Sequence, residues 1–458
     1  MKSTGTEEDG FVFVNISRPD EIKSASTQRT IRRRVMREIG RARRTHARPL
    51  TWTLALKPPA EPGVESIPAS LDPCNTTFYP TPLDDRGLQL MHFMTSDRDY
   101  VFRPFRAVWF SMALTDASAV LVALANAAMF LDQKQRVQAY RYETSAECLT
   151  YYGQCVQQVT RRLGDVRENL SEGIITTILG LICHDLYVGM LDRWNTHICG
   201  LGRIFQLRGG YKGLDDNVAL FAGWLDVVGS VMEDSPPRLP RPPGFATLPP
   251  DVMSPDLSSL LNDIAPQYAS FYEIATAFNH ASFIIQSVEE SLRHSAAFWR
   301  HENNLTVIEL FGPATHFLLS VSRPSEAHCS EMGYHFLQEA IRLALLLLLA
   351  ALKQDVFLFT SHESDHLRYK FSMLVPQLRE ADYDDSCGKL YLWALVTVLL
   401  LSHSTQPGLY MDDIRSVLDR LGITAIEGMN IVNNILSINI LGAQATHLPP
   451  ELVTSSCT

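Results

Sequence analysis

The chain has 458 residues, of which 46% are hydrophobic and 20% charged, with a net charge of −10. This is ordinary soluble-globular composition, with length enough for a large core in one or two lobes. The longest apolar stretches, 343–352 and 390–401, fall short of the roughly 20 residues a bilayer span needs, so a membrane protein is excluded and both read as buried core helices.

The charge is unevenly placed. Residues 29–48 hold nine arginines (Arg29, Arg32, Arg33, Arg34, Arg37, Arg41, Arg43, Arg44 and Arg48) against one acid, Glu38, which gives +8 and leaves −18 for the rest. A basic arm on an acidic body points to an address signal or a polyanion contact, because the body itself repels nucleic acid. Residues 1–70 lack sustained apolar periodicity, and Pro58, Pro59, Pro62 and Pro68 extend their second half. They are expected to form a largely disordered arm, helical at most over 27–44.

The helical body, residues 71–458, opens near Thr81-Pro82, where a Thr cap, a first-position Pro and acids at 84 and 85 mark a helix entry. Segment 117–131 is apolar on nearly every side, the pattern of a fully buried helix. Segments 136–163, 171–190, 193–208 and 214–232 continue the series. Residues 235–256 then carry eight prolines and break it, so they are expected as an exposed, irregular loop between two helical halves. The second half runs through 266–296, 303–321, 331–354, 364–375 and 386–403. In a closing pair, Ile414, Val417, Leu418 and Leu421 share one face, Gly422 stops the helix, and Thr424 with Glu427 forms a capping box for the last helix, 424–440. No strand pattern occurs. The fold class is all-α, a multi-helix array with a basic arm.

Catalytic motifs are few. His362-Glu363-Ser364-Asp365-His366 is a literal H-E-x-x-H, which on a helix would set two imidazoles on one face for zinc. Its context opposes that: Asp365 puts a charge inside the motif, no third ligand follows at suitable spacing, and Thr360-Ser361 with two acids reads as an exposed helix start. We expect no metal and no cofactor there. The pairs Asp84-Asp85, Asp215-Asp216 and Asp384-Asp385 lack the further Asp that a magnesium site would need. Nucleophile elbows, phosphate loops and dinucleotide fingerprints are missing, so no enzyme activity is expected. Eight scattered cysteines form no C-x-x-C, and the polar, acidic opening holds no export signal, so they are expected to be reduced thiols. The nine arginines suit an acidic import receptor. Against nucleic acid they would neutralise phosphates weakly, with no sequence choice. The closing helix pair superficially resembles helix-turn-helix, but its second helix has no Lys or Arg and carries Glu427, so it is expected to pack in the core.

The stretch His197-Ile198-Cys199-Gly200-Leu201, then Ile204, then Arg208-Gly209-Gly210, resembles a segment of fungal-specific transcription-factor domains. Phe11 to Val14 with Pro19, then Ile31 to Met36, is similar to the N-terminus of a subgroup of these proteins, as is Phe78-Tyr79 followed by 88–93. As a helix, 197–210 would turn Leu201, Ile204 and Leu207 to the core and stop at its glycine pair. The resemblance implies a helical regulatory domain, usually placed after a DNA-binding zinc cluster of six cysteines in two C-x-x-C pairs. None of those cysteines is here. The expectation is therefore a nuclear transcription-associated regulator acting through the transcription machinery, a DNA-binding partner or a small-molecule effector. The alternative is a helical enzyme or small-molecule-binding protein of secondary metabolism.

Overall fold

The computed structural model of the protein describes residues 79–96, 115–136, 140–245, 249–266, 268, 271–294, 305–323, 332–353, 364–402 and 410–436. All of these lie in the compact unit Ala69–Thr458. Among the described residues there are fourteen α-helices and no strand: α1 Asp85–Ser96, α2 Ala117–Gln135, α3 Ala146–Leu163, α4 Glu172–Tyr187, α5 Leu191–Arg208, α6 Asp216–Glu233, α7 Pro255–Ile264, α8 Phe271–His294, α9 Leu305–Ser320, α10 Met332–Lys353, α11 Asp365–Glu380, α12 Asp385–Ser402, α13 Met411–Leu421 and α14 Ala425–Ile435. The fold is all-α.

Two pairs of nearly all-apolar helices form the centre of each half. In the first, α2 is buried without interruption from Ser118 to Phe130, and α4 from Ile174 to Leu186. Alanines at 119, 123 and 127 let the neighbouring backbones come close, and α2 packs on both α3 and α4. The second centre is α10 against α12. By length and composition 333–353 could cross a membrane, yet most of it is buried inside the helical body. Near its middle sits Arg342, buried and ion-paired, which a lipid-facing helix would not carry.

The helix starts follow local chemistry. Asp116 and Ser171 accept from the first free N–H groups of α2 and α4, and the Thr424–Glu427 capping box is formed in both directions. The first aspartate of each pair has the same duty. Asp84 Oδ1 accepts from Gly87 N at 2.7 Å, Asp215 caps α6, and Asp384 Oδ1 accepts from Cys387 N at 2.8 Å. Acids at helix N-termini satisfy orphan donors and oppose the positive end of the helix dipole. α1 thus enters at Asp84-Asp85 rather than Thr81-Pro82.

The proline-rich segment is irregular as expected, but its described residues are only partly exposed. Leu239 and Phe245 are buried, and 243–245 form a 3-10 turn wedged between α6 and α9. Two glycines make the room. A Cβ on Gly223 of α6 would collide with Pro242, and one on Gly312 of α9 with the Phe245 ring. Polar groups hold the rest of the segment down. The Asp226 carboxylate accepts from the N–H groups of Arg238 and Leu239 (2.8 and 2.7 Å), and Asn279 and Gln286 of α8 bind the backbone at Pro250 and Val252. The segment is irregular but seated, because its backbone groups find partners among neighbouring side chains. It ends earlier than expected as well: Ser254 caps α7, with Pro255 at its first position. Likewise α11 does not stop before Pro376 but runs through it to Glu380.

Candidate functional site

The stretch from His197 to Gly210 is the C-terminal two-thirds of α5 and its exit. Trp194, Ile198, Leu201, Ile204 and Phe205 are buried, whereas Leu207, expected in the core, is 58% exposed. Phe205 takes the place assigned to it, since the apolar face drifts along a 3.6-residue helix. The glycine pair stops the helix as expected: Gly209 and Gly210 have φ of +78° and +89°, and Gly210 N donates to Phe205 O at 2.8 Å. Arg208 Nη1 donates to Leu170 O at 2.6 Å, tying this helix end to the α3–α4 connection.

At the other end of the stretch lies a buried polar network that residue patterning did not reveal. Asp185 of α4 is fully buried, with Arg193 Nη2 at 2.5 Å from Oδ1 and the Tyr152 hydroxyl donating at 3.1 Å. His197 Nε2 is 3.2 Å from that hydroxyl and 3.5 Å from Asp185 Oδ2. Arg193 also lies over the Tyr152 ring, 4.4 Å from its centre, and donates to the Tyr142 hydroxyl at 3.0 Å. The hydroxyl of Tyr142 sits 3.0 Å from His184 Nε2, and His184 Nδ1 is 2.7 Å from Asn126 Oδ1. With Asn126 as acceptor, Nδ1 carries the proton and Nε2 accepts from Tyr142. The network therefore runs in one direction from Arg193 to α2.

Burial dominates its electrostatics. It pushes Asp185 up to about 7, against the pull of Arg193 and Tyr152. Burial, with Arg193 adding to it, pushes His184 down to about 3 and His197 down to about 4, so both imidazoles are neutral at physiological pH. The Cys148 thiol, 4.0 Å from His184, is pushed up to about 12 by burial and is not a nucleophile. A neutral imidazole beside an acid could move a proton, but the group lies in a packed interior and lines neither the cavity beside α1 nor the one beside α8 and α9. Its work is to fix how α2, α3, α4 and α5 fit together.

A second polar centre joins the two sides of the proline-rich segment. Asp234 ends α6 in the left-handed conformation, φ 49°, where glycine is usual. Its carboxylate is reached by Arg342 Nη2 at 2.8 Å, Lys370 Nζ at 2.7 Å and Arg323 Nη2 at 3.2 Å. Burial would raise its pKa, but Arg342, Lys370 and Arg323 together hold it below the ordinary carboxylate range.

Among the described residues, at least two cavities are open to the surface. One, about 500 Å³, lies beside the start of α1 and is lined by Asp84, Leu121, Glu147 and Tyr151. The other, about 400 Å³, lies between the proline-rich segment, α8 and α9. Its walls are Pro249, Pro250, His280, Phe283, Ile284, Glu309, Leu310 and Pro313, with Gly244.

The sequence-derived candidates are placed as follows. All nine arginines from Arg29 to Arg48 lie outside the described residues, as do His362 and Glu363. His366 is exposed on α11. Among the described residues no three His, Cys, Asp or Glu side chains form a group able to hold a metal, and the described cysteines are free. Asp185, Arg193, Tyr152 and Asp234 come from separate helices or helix ends, and periodicity alone does not show which polar residues of different helices meet.

No curated protein and no solved structure matches this chain. Residues 89–258 match the family described as fungal specific transcription factor domain. The matched span begins in α1 and ends in α7, and it contains the whole Asp185 network, the Arg208-Gly209-Gly210 exit and Asp234. Over residues 89–258 the chain is thus similar to the fungal specific transcription factor domain.

Proposed function

We propose that the protein is a non-enzymatic, nuclear regulator associated with transcription, which reaches DNA through a partner rather than through a zinc cluster of its own. The observation that carries this reading is the domain match over 89–258. Three features support the finer points. The 458 residues contain no C-x-x-C pair, so nothing within them can build a two-pair zinc cluster. The +8 segment, 29–48, matches the chemistry of an acidic import receptor groove. The remaining −18 disfavours direct contact of the body with a duplex, so any binding by the arm is phosphate-driven and steeply salt-dependent. The partners are then an import receptor, the transcription machinery or a DNA-binding protein, and a small-molecule effector.

The test uses the tagged full-length chain and a chain lacking residues 1–70. The full-length chain is expected to accumulate in the nucleus and to be recovered with chromatin. The shortened chain is expected to melt within about 2 °C of the full one yet stay out of the nucleus. Nuclear entry without the arm, or collapse of the body without it, overturns the assignment of residues 29–48. Stoichiometric zinc in protein purified without chelator, lost in His366→Ala, would revive a zinc site at His362 and His366 and with it the enzyme alternative.

A further inference from the structure

Most of the polar features of this molecule are satisfied within the fold. The cavity between the proline-rich segment, α8 and α9 is different. Its volume, about 400 Å³, falls in the range of small-molecule pockets, roughly 300–1,000 Å³. Its walls are mainly apolar: Phe283, Ile284, Leu310, Pro313 and the Pro249-Pro250 pair. The wall contributed by the proline-rich segment is pinned on both sides, by Phe245 under Gly312 and by Asn279 bound to the backbone at Pro250 and Val252.

The polar groups at the cavity narrow the class of ligand. Glu309 is an exposed carboxylate on the wall, which disfavours anions. Pro313 stands inside α9 and has no N–H, so the Glu309 carbonyl four residues earlier lacks its helical donor at this wall. His280 is 3% exposed, stacks on Phe317, and its Nε2 has no hydrogen-bond partner. Burial, with the nearby Arg241 charge, keeps that ring neutral at physiological pH. Arg241 itself is occupied by the Phe245 carbonyl. The wall thus offers acceptors and an uncharged ring, and no free cation among its lining residues.

We propose that this cavity is the effector site of the regulator, and that it takes a small, predominantly apolar, non-anionic molecule bearing an N–H or O–H donor. This rests on the regulatory reading above and names the ligand class for it. Because the proline-rich segment touches α6, α8 and α9 together, an occupant would bear on the junction between the matched domain and the helices that follow it.

A matched pair of dyes tests the proposal on the full chain. N-phenyl-1-naphthylamine is apolar, uncharged and has one N–H, while 1-anilinonaphthalene-8-sulfonate is the same skeleton with an anionic group. The first is expected to bind saturably at one per chain with a blue-shifted emission, and the second at least tenfold more weakly. Leu310→Trp, which fills the cavity from a half-buried wall position, is expected to weaken the uncharged dye tenfold or more with an unchanged far-ultraviolet spectrum. Glu309→Lys, at an exposed position, is expected to erase or reverse the preference between the dyes even if the tryptophan variant does not fold. Leu207→Trp, on the exposed face of α5, is expected to leave both affinities unchanged. Absence of saturable binding, equal affinity for both dyes in the parent chain, or a folded Leu310→Trp and a Glu309→Lys that both behave like the parent would overturn the site. No transcriptional readout enters, so failure here leaves the nuclear reading standing, and failure of nuclear accumulation leaves the cavity result standing.

Discussion

Asp185 and Asp234 are both aspartates with side chains at most 1% exposed, yet their surroundings shift their pKa values in opposite directions. Around Asp185 there is one cation, Arg193, with Tyr152 and His197 completing the shell. Desolvation outweighs that single charge, and the carboxyl titrates near 7. Around Asp234 there are three cations, Arg342, Lys370 and Arg323, and they outweigh desolvation. Burial by itself does not decide ionisation; the number of opposite charges taken out of water with the group does. The two sites also differ in reach. All the partners of Asp185 lie within 89–258, whereas those of Asp234 come from α10, α11 and the stretch just past the end of α9, beyond the matched span. The first is internal to the domain; the second fastens the domain to the rest of the body.

The sharpest way to break this comparison is Asp234→Ala. It leaves Arg342, 1% exposed, with Glu339 as its remaining acid, and an unbalanced buried charge costs about 3 kcal/mol or more. Chemical denaturation is expected to show that loss, with Asp234→Asn milder because asparagine also tolerates the left-handed conformation. A cost for Asp234→Ala no larger than that of Asp185→Asn would refute the distinction. The sign with pH follows: Asp234, with its pKa depressed on folding, contributes stability above about 3.8 that is lost as pH falls through its folded value.

Next in size is the seat of the proline-rich segment. Gly312→Ala drives a methyl group into the Phe245 ring, and overpacking of this kind costs roughly 1–3 kcal/mol. Gly223→Ala acts on the same seat through Pro242, so the double variant is expected to cost less than the sum of the two. Thermal melts of the three variants decide this. Additive costs would mean that the two glycines serve separate contacts.

The smallest effect is the most diagnostic of Asp185. Its folded pKa, about 7, exceeds its unfolded value, so its contribution is present below about 3.8 and fades as pH rises towards 7. Asp185→Asn is therefore expected to cost more at pH 5 than at pH 7, with a change of at most about 1.4 kcal/mol per pH unit. His184 and His197 act in the opposite sense. Their folded values, about 3 and about 4, lie below the unfolded 6.5, so the parent chain loses stability from them as pH falls below 6.5. Denaturation curves at pH 5, 6 and 7 separate these contributions; a pH-independent cost for Asp185→Asn would show that its carboxyl stays ionised.

Local sequence suffices for the helical class, the buried helices α2, α10 and α12, the glycine stops at 209 and 422, and the Thr424–Glu427 cap. Each of these is a local effect, set by periodicity or by hydrogen bonds spanning a few residues. It also held the signal for α7, since Ser254-Pro255-Asp256 is a cap followed by a first-position proline, but the prolines around it masked that start. Tertiary structure alone decided that the proline-rich segment is seated in glycine notches, that Leu207 yields its core place to Phe205, and that α11 continues through Pro376. It alone brought Asp185 to Arg193 and Tyr152, and Asp234 to Arg342 over a separation of 108 residues. The reason is physical: a polar residue in an apolar helix is costly wherever it is buried, and only the packing of distant helices supplies the partner that makes the burial tolerable.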